Sequence, residues 1–275
     1  MGETMVPANG VDLCLETFGA GDDPAVLLIA GAARSMDWWE EPFCRRLAGG
    51  GRFVIRYDHR DTGRSTSFPA GRPPYTQADM AGDALGVLDA LGIARAHVVG
   101  LSLGGGLAQR LAVEDRPRLL TMTLMSTCPG PPPEAPMALP RPPADCSDRA
   151  AAVNQLVACV SAAGGPFTAD AAHLRRLAER VFDRTTDPAA ACRNHWLAGC
   201  GPPVRDRLGT VDLPTLIMHG TVDPIVSMAH PAALAREIPA ARLVPLPGVG
   251  HEFPPRAVWE VVIEEILRHT AGPLS

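Results

Sequence analysis

Two periodicities alternate along this chain. Residues 25–30 and 53–57 are short apolar runs, and 97–100, 119–125, 215–218 and 242–245 read as further short strands. Such runs are what a strand buried on both sheet faces requires. Between them, 36–48, 77–91, 103–114, 231–238 and 257–270 repeat apolar positions at helical spacing, and Gly92 closes the second of these helices. Strands that alternate with helices pair in parallel through right-handed crossovers. An antiparallel pair is expected around Asn9-Gly10, a dipeptide that favours a two-residue hairpin turn.

The rhythm breaks at Thr127. Eight prolines from Pro129 to Pro143 are incompatible with a central strand or a long helix. Three helical stretches, 149–162, 169–182 and 188–197, follow with no convincing strand among them. The expected architecture is an α/β core made of 1–127 and 209–275. Residues 128–208 form an all-helical cap, or lid, inserted after the sixth strand, with 129–143 as a stiff hinge.

One segment carries chemistry. Gly100-Leu101-Ser102-Leu103-Gly104 has the form G-x-S-x-G, with a strand before it and a helix after it. The turn is so tight that side chains at Gly100 and Gly104 would collide with its neighbours, and it lifts Ser102 to the carboxyl edge of the sheet. A serine hydroxyl is a poor nucleophile near neutral pH and needs a base, which an acid in turn orients. Asp223 follows the strand at 215–218, and His251 follows the strand at 242–245. Both therefore leave strand ends at the edge that holds Ser102. Asp212 is a rival acid, but it precedes its strand and belongs to the opposite edge. The other seven histidines lack the order and strand-end placement of His251, and His195 belongs with the lid. An oxyanion hole is expected from the backbone N–H groups of Leu103 and of Ala32, in the loop after the strand at 25–30.

Composition narrows the class. Hydrophobic residues are 46% and charged residues 20%, an ordinary globular balance. A net charge of −5 gives no electrostatic reason to expect nucleic acid or an anionic membrane as partner. The seven cysteines are dispersed with no C-x-x-C, which suggests thiols rather than a disulfide framework or a zinc site. No secretory signal is visible near the N-terminus and no apolar run spans a bilayer, so a cytoplasmic protein, monomeric or homodimeric, is expected.

With these residues in place, the chain resembles the α/β-hydrolase family throughout its core. The stretch Val54-Ile55-Arg56-Tyr57-Asp58-His59-Arg60-Asp61-Thr62-Gly63-Arg64-Ser65, and the segments around Ser102 and His251, are similar to the aclacinomycin methylesterase-like serine esterases of anthracycline biosynthesis. The resemblance does not cover the lid. It implies hydrolysis of a methyl ester on an aromatic polyketide, with a small, apolar ester as substrate and no metal or organic cofactor. In most family members Arg60 and Asp61 tie their loop beside the active site. The histidine that usually precedes the oxyanion glycine is Ala30 here, so the hydrogen bonds it would make to brace the loop are absent. In the lid, Leu156, Val157, Val160 and Val181 are apolar positions suited either to the substrate's roof or to helix packing, and Trp196, Phe182 and Phe167 are the candidate substrate contacts.

Other chemistries share this scaffold. A serine at the elbow and the absence of lid tyrosines argue against epoxide hydrolysis. Lactone hydrolysis, C–C bond hydrolysis and cofactor-free haloperoxidation (perhydrolysis) use the same triad and stay open. A non-catalytic binding protein typically lacks one triad member, and all three are present here.

Overall fold

The computed structural model describes residues 2–130, 137, 146 and 148–271. The hinge expected at 129–143 lies almost wholly outside the described residues. Eight strands form one sheet: β1 (Thr4–Ala8), β2 (Val11–Phe18), β3 (Ala25–Ile29), β4 (Phe53–Tyr57), β5 (Ala96–Leu101), β6 (Leu119–Met125), β7 (Thr215–Gly220) and β8 (Ala241–Leu246). Their spatial order is β1-β2-β4-β3-β5-β6-β7-β8. From β4 to β8 all neighbours are parallel, while β2 runs antiparallel to both β1 and β4. The hairpin turns at Asn9 and Gly10, with φ of 50° and 78°, the left-handed pair that such a turn demands.

The apolar strands are continuous because both faces are covered. Leu27, Ile29, Ile55, Val98 and Ile217 pack under α2 (Gln77–Ala90), α3 (Leu103–Glu114) and α7 (Ala229–Glu237). The alternate residues Val26, Leu28, Val54, Val99 and Leu216 pack under α1 (Glu41–Ala48) and α8 (Trp259–His269). The region 36–48 is less regular than its spacing suggests. A single 3-10 turn at Met36–Trp38 precedes α1, which begins where Pro42 fits the first helical turn.

The insertion between β6 and β7 contains α4 (Arg149–Ala163), α5 (Ala171–Arg184) and α6 (Pro188–Leu197). Helix α5 starts two residues later than its apolar spacing indicates because the Asp170 side chain caps it, accepting from the His173 N–H at 2.8 Å. Val160, Leu174 and Val181, with the half-buried Leu156 and Val157, pack around Trp38 and join the insertion to the core.

Cys146 and Cys192 form a disulfide between the segment before α4 and helix α6, which corrects the expectation of unpaired thiols. The partners are 46 residues apart and meet only through the tertiary fold, so their spacing carried no signal.

Candidate active site

The turn between β5 and α3 forces Ser102 to φ 54°, a strained left-handed value for a residue with a side chain. Its glycines are required sterically. A Cβ on Gly100 would overlap the Gly104 carbonyl, and one on Gly104 would overlap the Ile29 carbonyl at the end of β3. The Ser102 N–H donates to the Met125 carbonyl at 2.8 Å, which fixes the turn against β6.

Three chain segments converge here. Ser102 Oγ lies 3.1 Å from His251 Nε2, and His251 Nδ1 lies 2.8 Å from Asp223 Oδ2. The Asp223 carboxylate is 1% exposed and the His251 ring 12% exposed. The other Asp223 oxygen accepts from the N–H groups of Ile225 and Val226, both at 2.8 Å. Burial alone would raise the Asp223 pKa, but its bond to His251, the nearby imidazole charge and these two N–H donors hold it below the usual carboxylate range. An ionised Asp223 accepts from Nδ1–H, which leaves Nε2 to accept from the serine hydroxyl. The rival Asp212 is exposed and pairs with Arg116 at 2.6 Å, away from these residues.

The loop after β3 passes directly beside Ser102: a Cβ on Gly31 would lie 3.5 Å from Ser102 Cβ. Leu103 is the first residue of α3, so its N–H has no intrahelical acceptor. Gly31, Ala32, Ser102, Leu103 and His251 line one cavity of about 910 Å³. Its remaining wall is mainly apolar, with Leu101, Leu107, Val160, Trp196, Ile225 and Phe253.

A model of the α/β hydrolase fold matches residues 24–254. The chain is 33% identical over 296 residues to rhodomycin D methylesterase DauP of Streptomyces sp. (strain C5), covering 97% of each protein. It is likewise 33% identical over 293 residues to rhodomycin D methylesterase DnrP of Streptomyces peucetius, again covering 97% of each. Among solved structures, the enol-lactonase from Burkholderia xenovorans LB400 superposes with a TM-score of 0.76 at 25% identity, over 98% of this chain and 100% of that one. The chain belongs to the α/β-hydrolase fold family. It is a hydrolase enzyme.

In this α/β-hydrolase the loop after β3, which lacks the brace a histidine at position 30 would give, is held by two other histidines. His59 Nε2 donates to the Ala30 carbonyl at 3.0 Å. His195, on α6, donates from Nε2 to the Arg60 carbonyl at 2.8 Å and accepts the Ala33 N–H on Nδ1 at 2.9 Å. Ala33 itself has φ 56°, so this bond holds a strained residue. Burial pushes both imidazoles down to about 4, which keeps them neutral and lets Nδ1 of His195 remain an acceptor. Sequence reasoning missed this role. The one available signal was negative: a hydrolase with alanine at position 30 must brace its loop from elsewhere.

The 58–65 loop is also clasped by the insertion. Arg184 donates to Asp58 Oδ1 at 3.0 Å and to Asp37 at 2.9 Å, and Asn194 donates to Asp61 at 2.9 Å. Arg60 pairs with Asp83, in line with the tying role expected of this loop.

Of the expected substrate contacts, Trp196 lines the large cavity, but Phe167 and Phe182 do not. Phe167 is 44% exposed and faces Gly248 in the loop before His251, lining a separate, smaller cleft. Phe182 follows Val181, whose side faces the core in step with Leu174 and Ala178; one residue further turns the side chain about 100° off that face.

Proposed function

We propose that the chain is a serine ester hydrolase in which Ser102 is the nucleophile, His251 the general base and acid, and Asp223 the residue that orients the imidazole. The observation that carries this reading is the pair of contacts at 3.1 and 2.8 Å linking three residues from distant parts of the sequence. The substrate carbonyl sits against the N–H groups of Ala32 and Leu103. His251 takes the hydroxyl proton as Ser102 attacks, then gives it to the departing alcohol. Water activated by the same imidazole releases the acid. None of these steps calls for a metal or organic cofactor.

The substrate is a methyl ester on a flat aromatic polyketide, entering beneath a lid formed by 128–208 over the core of 1–127 and 209–275, with Trp196 stacking on its ring. Similarity to two methylesterases over nearly the full chain supports the ester class, and the mainly apolar cavity suits an aromatic ring system. Among the described residues no helix is long and apolar enough to cross a membrane. The reading extends to a cytoplasmic monomer or homodimer with no nucleic-acid or membrane partner.

A panel of polycyclic aromatic methyl esters, lactones and short acyl esters, followed by mass spectrometry, tests the class. Release of methanol from the aromatic esters, well ahead of lactone opening, is the expected result. Rapid lactone opening with inert methyl esters would instead favour the lactonase reading.

A further inference from the structure

We propose that Arg34 forms a subsite for an anionic oxygen, a carboxylate or phenolate, on the same substrate and remote from the ester being cleaved. This rests on the ester-hydrolase reading above. Three arginines line the large cavity: Arg34, Arg110 and Arg205. Arg110 pairs with Glu114 at 2.9 Å, and Arg205 pairs with Glu237 at 2.6 Å. Elsewhere in the interior, Arg56 pairs with Glu16, Arg60 with Asp83, and Arg184 with Asp37 and Asp58. Arg34 has no carboxylate partner among the described residues.

Instead its guanidinium carbon stands 4.7 Å from the centroid of the Trp38 ring. This cation–π contact places the guanidinium over the ring, and its planar fork of N–H donors is the geometry that suits a carboxylate. Burial lowers the Arg34 pKa, yet a guanidinium stays protonated in a protein. The cavity therefore holds a fixed positive charge that nothing else in its described wall neutralises. The acid in the same wall, Glu252, is engaged elsewhere: it accepts from Thr168 Oγ1 at 3.0 Å and from the Gly165 N–H at 3.2 Å. In mainly apolar surroundings an unpaired charge attracts an anion more strongly than it would in water. Arg34 also follows Ala32 by two residues, so one short segment would grip the ester carbonyl at Ala32 and the second oxygen at Arg34.

The test compares matched esters. For the carboxylate, these are the monomethyl and dimethyl esters of terephthalic acid. For the phenolate, they are methyl para-hydroxybenzoate, assayed above its phenol's titration, and methyl para-methoxybenzoate. The ratio of kcat/KM, anionic over neutral, is read in the wild type, Arg34→Leu and Arg34→Lys, so intrinsic ester reactivity cancels between proteins. The ratio is expected to fall about tenfold to a hundredfold in Arg34→Leu, the range of a charge-assisted hydrogen bond, and only partly in Arg34→Lys. A fall with one pair alone assigns the subsite to that oxygen. Ratios equal in all three proteins for both pairs overturn the proposal. Calorimetric binding of monomethyl terephthalate to Ser102→Ala, with and without Arg34→Leu, reads the subsite apart from cleavage. Inert esters with Arg34-dependent binding would defeat the ester reading and keep the subsite; cleaved esters with Arg34-independent binding would do the reverse.

Discussion

His195 shows how far a single side chain can be from its effect in sequence. It sits on α6 of the insertion, yet it accepts the N–H of Ala33 in the loop after β3. The convergence of Ser102, Asp223 and His251 was legible because each occupies a strand end with a recognisable neighbour: glycines around Ser102, Pro224 after Asp223, Gly250 before His251. His195 has no such context, and its role depends on how helices pack, which local pattern does not encode. Replacing it with alanine should lower kcat about tenfold to a hundredfold with little change in KM, somewhat less than removal of an oxyanion donor itself. His195→Asn, whose Oδ1 offers an acceptor to the same N–H, should recover part of the loss. A merely structural role would lower the amount of active enzyme without separating the two variants in kcat per active site, as counted by burst titration.

At the level of elements, short apolar runs and helical spacing located the parallel strands β3 to β8 and the core α-helices, most of them to within two residues. The departures have local causes. Pro42 starts α1 late, and Asp170 caps α5 beyond the first apolar residues of its run. The Cys146–Cys192 link was invisible for the opposite reason, since it depends on how the segment before α4 approaches α6. Closing 46 residues of chain is worth about 4 kcal/mol on a loop-entropy basis. Cys192→Ser, or reductant added to the wild type, should lower Tm accordingly. Alkylation of the unfolded, unreduced protein should label Cys14, Cys44, Cys128, Cys159 and Cys200 only. Labelling at Cys146 and Cys192 as well would contradict the bond.

Across the whole molecule, burial of neutral histidines couples stability to pH. His59, His97 and His195 are each pushed from 6.5 to about 4, in every case by burial first. The unfolded chain therefore binds more protons than the folded one between these values. The stability they confer is complete above 6.5 and is lost as pH falls toward about 4, at about 1.4 kcal/mol per pH unit for each ring. Tm should drop as the protein is acidified through this window, and His97→Gln should flatten the slope; a Tm independent of pH there would argue against neutral buried rings. The same long-range organisation brings residues 102, 223 and 251 to one edge of the sheet. Fluorophosphonate labelling followed by peptide mapping tests that convergence. A single adduct on Ser102, abolished in Ser102→Ala and slowed at least about a hundredfold in His251→Ala, is the expected result. Labelling at another serine, or equal labelling rates in wild type and His251→Ala, would contradict it.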